Sequence, residues 1–423
     1  MAMGYLELLR ARHVGRLLVG TLVGRLPNAT AGLGIVLFIR AEGGGYSLAG
    51  ALAAAYGVAN AVGQPLLGRL VDVHGQPRVL LPSAVLSALG MGLLALAGTD
   101  PVALAVLGAV VAGLATPPLE GALRALWPSV LAGEGRVQRA YALDAVAQEV
   151  MFTAGPLAVT LVVALWSETA ALLVINVLGL LGAFAVATSA PSRRWRGDRR
   201  EAHWLGALRS SGLLALLAGF FFVGVALGST SVAAVAYADA RGDELIASYL
   251  LSALSAGALV GGLGYGAVPW SGAPEPRLRW LLAGLALGYL PLALAPGSVP
   301  LMTLLCGVAG VFLAPALACS FVVIDRQAPV GTVTEAFSWL VTMFGVGAAI
   351  GQAVVGPVIE WGGEAAGFSV TAAAGVLALL VATATRRVLA APGGSSGRDA
   401  VPSESQNDRN AAREPGFRTG HQA

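Results

Sequence analysis

Asp144, Gln148 and Glu149 stand close together in a segment, residues 140–165, that is otherwise largely apolar. On a helix Asp144 and Gln148, four apart, share one face, and Glu149 points roughly 140° further round from Asp144. A carboxyl in apolar surroundings favours its neutral form, so both acids are candidates for taking up and releasing a proton. The alternative is that they sit near an interface and pair with Arg136 or Arg139. Arg25, with Asn28 one turn later, is a second polar point in an apolar run. Its guanidinium stays charged, so it either holds an anionic or polar substrate group or closes a structural ion pair. Glu120 and Arg124 have the i,i+4 spacing of a pair that serves packing, and Glu335 is placed to offset a helix N-terminus. Ionisable groups in such segments are rare and face a protein interior. Arg25, Asn28, Gln148, Trp339 and Gln352 are therefore the candidate lining of a substrate cavity, with Tyr141 and Thr230 as further polar groups on helical grounds.

This is the chemistry of binding and proton transfer, and no enzyme activity is expected. The sequence has no lysine, so it has no phosphate-binding loop of the ATPase type, and it has no zinc-protease helix motif. Its four histidines, His13, His74, His203 and His421, fall in predicted loops or termini, so no metal site and no cofactor is expected. Cys306 and Cys319 lie in apolar stretches and read as buried thiols. The net charge of +3 is scattered and gives no sign of a nucleic-acid partner.

The elements that must position these residues follow from composition. The chain has 423 residues, 56% hydrophobic and only 12% charged, with a mean hydropathy of +0.76. A soluble domain is about a quarter charged, so this is a membrane protein. A spanning helix needs roughly 20 mostly apolar residues, and twelve such stretches are present: 17–39, 47–68, 79–98, 101–122, 140–165, 168–189, 212–237, 245–268, 279–296, 299–323, 333–357 and 365–386. Alternate connections are rich in arginine, among them Arg10, Arg12 and Arg16, Arg69 and Arg78, Arg136 and Arg139, Arg193 to Arg200, Arg277, Arg326 and Arg386. The others carry mostly acids, such as Glu42, Asp100, Glu168 and Asp243. The positive-inside rule then puts both termini in the cytoplasm, in agreement with an even number of spans.

The longest internal connection, 190–211, contains the run PSRRWRGDRR and divides the chain into an N-terminal six-helix half (1–189) and a C-terminal one (212–390). A shift of 196 residues brings Ala140 onto Ala336, Gly155 onto Gly351 and Gly68 onto Gly264, as a duplicated unit would. Residues 391–423 are polar, poor in aliphatics, and expected to be a disordered cytoplasmic tail. The pairs Gly155-Pro156 and Gly356-Pro357 fall inside spans, where they either permit bending or allow close packing.

Between the second and third spans the sequence reads GRLVDVHGQPR, residues 68–78. This resembles the signature loop of the major facilitator superfamily at Gly68, Asp72, Gly75 and Arg78; Val73 and Gln76-Pro77 replace basic residues of the pattern. GRLPNATAGL (24–33), LDAVAQEVMFTAGP (143–156) and TEAFSWL (334–340) are similar to stretches of its drug and sugar efflux members. The resemblance covers roughly residues 15–386 and implies an all-α fold of two six-helix pseudo-repeats and transport by alternating access. In the loop, Gly68 and Gly75 allow close approach and a tight turn. Asp72 beside Arg69 and Arg78 is suited to a charge cluster that gates the conformational change. The expected function is proton-coupled efflux of a drug, sugar or metabolite across the cell membrane by a monomer, with the proton gradient as driving force. An importer or facilitative uniporter of the same fold is the first alternative, and a polytopic membrane enzyme the weaker one.

Overall fold

A computed structural model describes residues 7–197, 205–243 and 245–390, and every regular element among them is a helix. The expected tail, 391–423, lies outside the described residues. The main helices are α1 (Val14–Ala41), α2 (Tyr46–His74), α3 (Gln76–Ala97), α4 (Val102–Leu114), α5 (Leu119–Val130), α6 (Glu134–Leu165) and α7 (Glu168–Ala187). They are followed by α8 (Ser211–Asp239), α9 (Leu245–Ala267), α10 (Pro274–Tyr289), α11 (Val299–Gly310), α12 (Leu313–Gln327) and α13 (Val333–Ala384). Ten stretches among the described residues are long and apolar enough to cross a membrane, with α4 and α5 counted as one and α11 and α12 as another. The protein is a multi-pass membrane protein.

Helices α1 to α7 pack chiefly on one another, and so do α8 to α13. The two groups meet where α2 and α5 touch α13, and where α6 touches α9 and α12. Within each group the tightest crossings are built on glycine. Gly224 and Gly228 of α8 face the carbonyls of Phe344 and Ala348, while Gly347 and Gly351 of α13 face those of Phe221 and Val225. Two small-xxx-small stripes thus interlock with no side chain between them, which is how helices associate where water supplies no driving force. Gly257 and Gly261 of α9 make the same contact with Gly307 and Val311.

Three departures from the expected spans stand out. The fourth and tenth, 101–122 and 299–323, are interrupted at residues 115–118 and 311–312 and run on to Val130 and Gln327. Between the eleventh and twelfth the connection shrinks to a single non-helical residue, Gly363 (φ 72°, ψ −170°). The helix passes unbroken through Gly155-Pro156 and through Gly356-Pro357. Gly155 is closely packed on Thr30, and Gly356 has open space around it.

Candidate functional site

Pro117 and Pro118 end α4, because neither can donate to the helix ladder and each biases its predecessor away from helix. Irregular backbone at membrane depth must be satisfied by protein, and here side chains do so. Gln64 donates to the Thr116 carbonyl (3.2 Å), Ser87 and Thr116 both donate to the carbonyl of Ala112 (2.9 Å each), and the Tyr56 and Thr116 hydroxyls are 3.1 Å apart. The break restarts the chain as α5 and aims Glu120 and Arg124 inward.

There they meet α1 and α6. Arg25 reaches Asp144 Oδ1 at 2.9 Å and Glu120 Oε1 at 3.0 Å; Arg124 reaches Asp144 Oδ2 at 2.6 Å and Glu120 Oε2 at 3.4 Å. Gln148 Oε1 accepts from both guanidiniums, at 3.3 Å from Arg25 and 3.1 Å from Arg124. The result is a closed, net-neutral ring of two arginines and two acids, with Asp144 fully buried between the guanidiniums. The Arg124 guanidinium also lies 3.8 Å from the ring centroid of Phe321, a cation–π contact that fixes its plane.

The ring borders a cavity of about 210 Å³ between the two helix groups. Drug-sized ligands occupy clefts of roughly 300–1,000 Å³, so this conformation admits a small molecule. The wall from the first group is largely polar, with Arg25, Asn28, Asn60, Glu120, Arg124 and Gln148 beside Ala29 and Met151. Asn60 donates to Asn28 (2.8 Å) and accepts from Gln64 (3.3 Å), which extends the polar wall toward the α4 break. The wall from the second group is apolar, with Leu317, Phe321, Leu340, Val341 and Phe344.

Of the residues singled out in the sequence, Arg25, Asn28 and Gln148 line this cavity and Asp144 lies behind it in the ion ring. Glu149 is buried on α6. Trp339 is half-buried and Gln352 exposed, and neither lines the cavity. Thr230 lies elsewhere, bonded to the Ala226 carbonyl (2.7 Å) and near the Thr371 hydroxyl (3.2 Å). Glu120 and Arg124, read from spacing as a packing pair, do pair, but as half of the ring. Asn60, Phe321 and Phe344 carried no signal beyond residue type.

Toward the arginine-rich end the two groups are sealed. Tyr141, Phe321 and Phe337 form an aromatic cluster with centroids 5.9 to 6.1 Å apart, directly below the ring. Below it, the Asp72 carboxylate accepts from the backbone N–H groups of Thr334 (3.0 Å) and Glu335 (2.8 Å). A residue of α2 thus caps the N-terminus of α13, where orphan N–H groups and the helix dipole favour an anion. Gly68, one turn earlier, admits Ser338 and the backbone at Glu335, which a side chain would displace. Gly75 ends α2 at φ 85°, a conformation that favours glycine. Arg78 is exposed and Arg69 half-buried. The described part of the 190–211 connection packs here too, with Gly197 against the Asp72 carbonyl.

In comparisons with known proteins, the model of the Major Facilitator Superfamily matches residues 17–314. No curated protein matches the chain. Among solved structures, a bacterial homologue of the iron transporter ferroportin in its outward-facing state is similar with a TM-score of 0.68 at 16% identity, covering 88% of this chain and 99% of that one. The human organic anion transporter MFSD10 gives 0.67 at 16% identity, covering 87% and 98%. The E. coli fucose:proton symporter FucP gives 0.65 at 17% identity, covering 88% and 99%. At these identities the likeness is one of fold.

Proposed function

The chain belongs to the Major Facilitator Superfamily, and on that premise we propose that it is a secondary active transporter that moves a small molecule by alternating access, as a proton-coupled exporter. One observation carries the reading: a charge-lined cavity lies between two separately packed helix groups, and one end of it is closed by contacts between those groups. Those contacts include the aromatic cluster, the Asp72 cap, the Gly68 approach and Gly121 against the Thr334 carbonyl. Releasing them while opposite contacts form would expose the cavity to the other side without disturbing the glycine-built packing inside each group.

In this reading the membrane is crossed twelve times. The 29-residue α2 adds one span to the ten apolar stretches, and α13 divides at Gly363 into two. The spans form two six-helix pseudo-repeats, 1–189 and 212–390, joined by a cytoplasmic linker and followed by a cytoplasmic tail. The arginine-rich end faces the cytoplasm of a cell whose plasma membrane holds the protein as a monomer. Coupling falls to the α6 carboxyls. A proton on Asp144 would have to displace a guanidinium, so Asp144 serves as counter-ion and Glu149, five residues on, as the carrier.

Inside-out vesicles with an imposed proton gradient test this. Lumenal pH is followed while a panel of drugs, sugars and organic acids is added to wild type and to Glu149→Gln. At least one compound is expected to dissipate the gradient in wild type, with the response cut at least about tenfold in the variant, as loss of a proton-transfer group does. Solute equilibration with no effect on the gradient would sink the exporter and leave a facilitative carrier.

A further inference from the structure

Resting on the cavity as the transport site, we propose that its substrate is a small amphipathic monoanion whose carboxylate takes the place of the Glu120 carboxylate between Arg25 and Arg124. The two acids of the ring do not hold the arginines equally. Asp144 is fully buried and bonds both guanidiniums, at 2.9 and 2.6 Å. Glu120 lines the cavity, keeps 12% of its side chain exposed and stands at 3.0 and 3.4 Å. Its Oε2 makes no hydrogen bond among the described residues. One acid is built in; the other is an arm that the cavity can reach.

Charge counting sets the class. Asp144 neutralises one of the two guanidiniums, and Glu120 balances the remaining positive charge. A monoanion in its place keeps the charge held between the two guanidiniums at zero while the Glu120 charge turns toward the α5 N-terminus, whereas a cation would be buried against two arginines and a dianion would overshoot. Planar guanidinium forks match a carboxylate in two-point geometry, and Phe321 holds Arg124 in the plane it needs. The displaced Glu120 stays in the first turn of α5, where the helix dipole favours its charge. The facing wall of Leu340 and Phe344 is apolar and takes the rest of the molecule.

Benzoate, benzamide and benzylamine share a ring and differ in the charge of the head group. Their binding to the purified full-length protein in lipid nanodiscs is measured by titration calorimetry. Benzoate is expected to bind at least about tenfold more tightly than the other two. Glu120→Gln, which removes the internal competitor, is expected to raise benzoate affinity a further tenfold or so. Arg25→Gln should abolish binding. Glu120→Asp keeps the charge on a shorter arm, guards against a folding defect in Glu120→Gln, and should raise affinity by a smaller factor. Preference for benzylamine, absence of benzoate binding, or unchanged or weaker benzoate binding in both folded Glu120 variants would overturn the proposal. Binding is read without a gradient. A chain that binds benzoate in this way but moves no solute refutes the transport reading alone; one that carries a cation or neutral solute and ignores benzoate refutes this proposal alone.

Discussion

Asp144→Asn is expected to lower the thermal stability of the purified protein steeply and to abolish transport. The substitution keeps shape and volume but removes the charge that two buried guanidiniums share at 2.9 and 2.6 Å. Arginine cannot shed its proton to relieve the imbalance, so Glu120 alone would face two positive charges. Removing one partner of a buried ion pair costs roughly 3–5 kcal/mol, because the remaining charge stays desolvated. Thermal unfolding in detergent, followed by tryptophan fluorescence, checks this directly. Removing the imbalance together with the charge, in Asp144→Asn with Arg124→Gln, should return much of the lost stability without returning transport. If the single variant melts within a degree or two of wild type, the ring is not the electrostatic keystone described above.

Gly347→Leu is expected to yield no folded monomer. A Cβ at Gly347 would enter the carbonyl of Phe221 and the backbone leading to Val225, and neither is a side chain that can turn away. Ordinary overpacking costs roughly 1–3 kcal/mol because neighbours shift; here two helix axes would have to separate, undoing the reciprocal contacts of Gly224, Gly228 and Gly351 as well. Gly356→Leu on the same helix has open space and should fold normally. Size-exclusion profiles of the two variants distinguish a packing effect from a general intolerance of α13 to leucine. The control carries its own information: a folded Gly356→Leu that transports poorly would mean that flexibility at the Gly-Pro pair matters to the cycle.

The sequence made the apolar spans legible because bilayer thickness imposes a length that chance rarely supplies. It made Arg25 and Asp144 stand out because charge in such spans is costly, and the structure pairs them. Their relation was not legible. Arg25 and Asp144 are 119 positions apart, and nothing in either local segment says that one answers the other. Arg136 and Arg139, nearer in sequence, were the obvious partners for Asp144, and the fold chose Arg25 and Arg124 instead. Glu120 and Arg124 looked like a pair content with itself, since i,i+4 spacing explains the contact on one helix. What changed their meaning was Pro117-Pro118, which stops one helix and re-aims the next; the two prolines stood in the sequence, but the direction of the restarted helix did not. Trp339 and Gln352 mark the same limit from the other side. A polar or aromatic residue in a span has several faces to point toward, and periodicity in a segment rich in Ala and Gly does not say which one is the cavity.

The Asp72 cap has a consequence for which substitutions the seal can absorb. One side of the contact is a specific carboxylate; the other is two backbone N–H groups that every residue except proline provides. The pair itself asks only for a backbone N–H at residues 334 and 335, whose side chains are nonetheless buried, Thr334 against Gly121, while position 72 has almost no freedom. The asymmetry has a single exception. Proline is tolerated in the first turn of a helix, so Thr334→Pro would leave α13 intact and delete one of the two donors, weakening the closed state by a change that touches neither charge nor cavity. The hydrogen bonds of this contact thus demand a particular side chain on α2 and only backbone on α13.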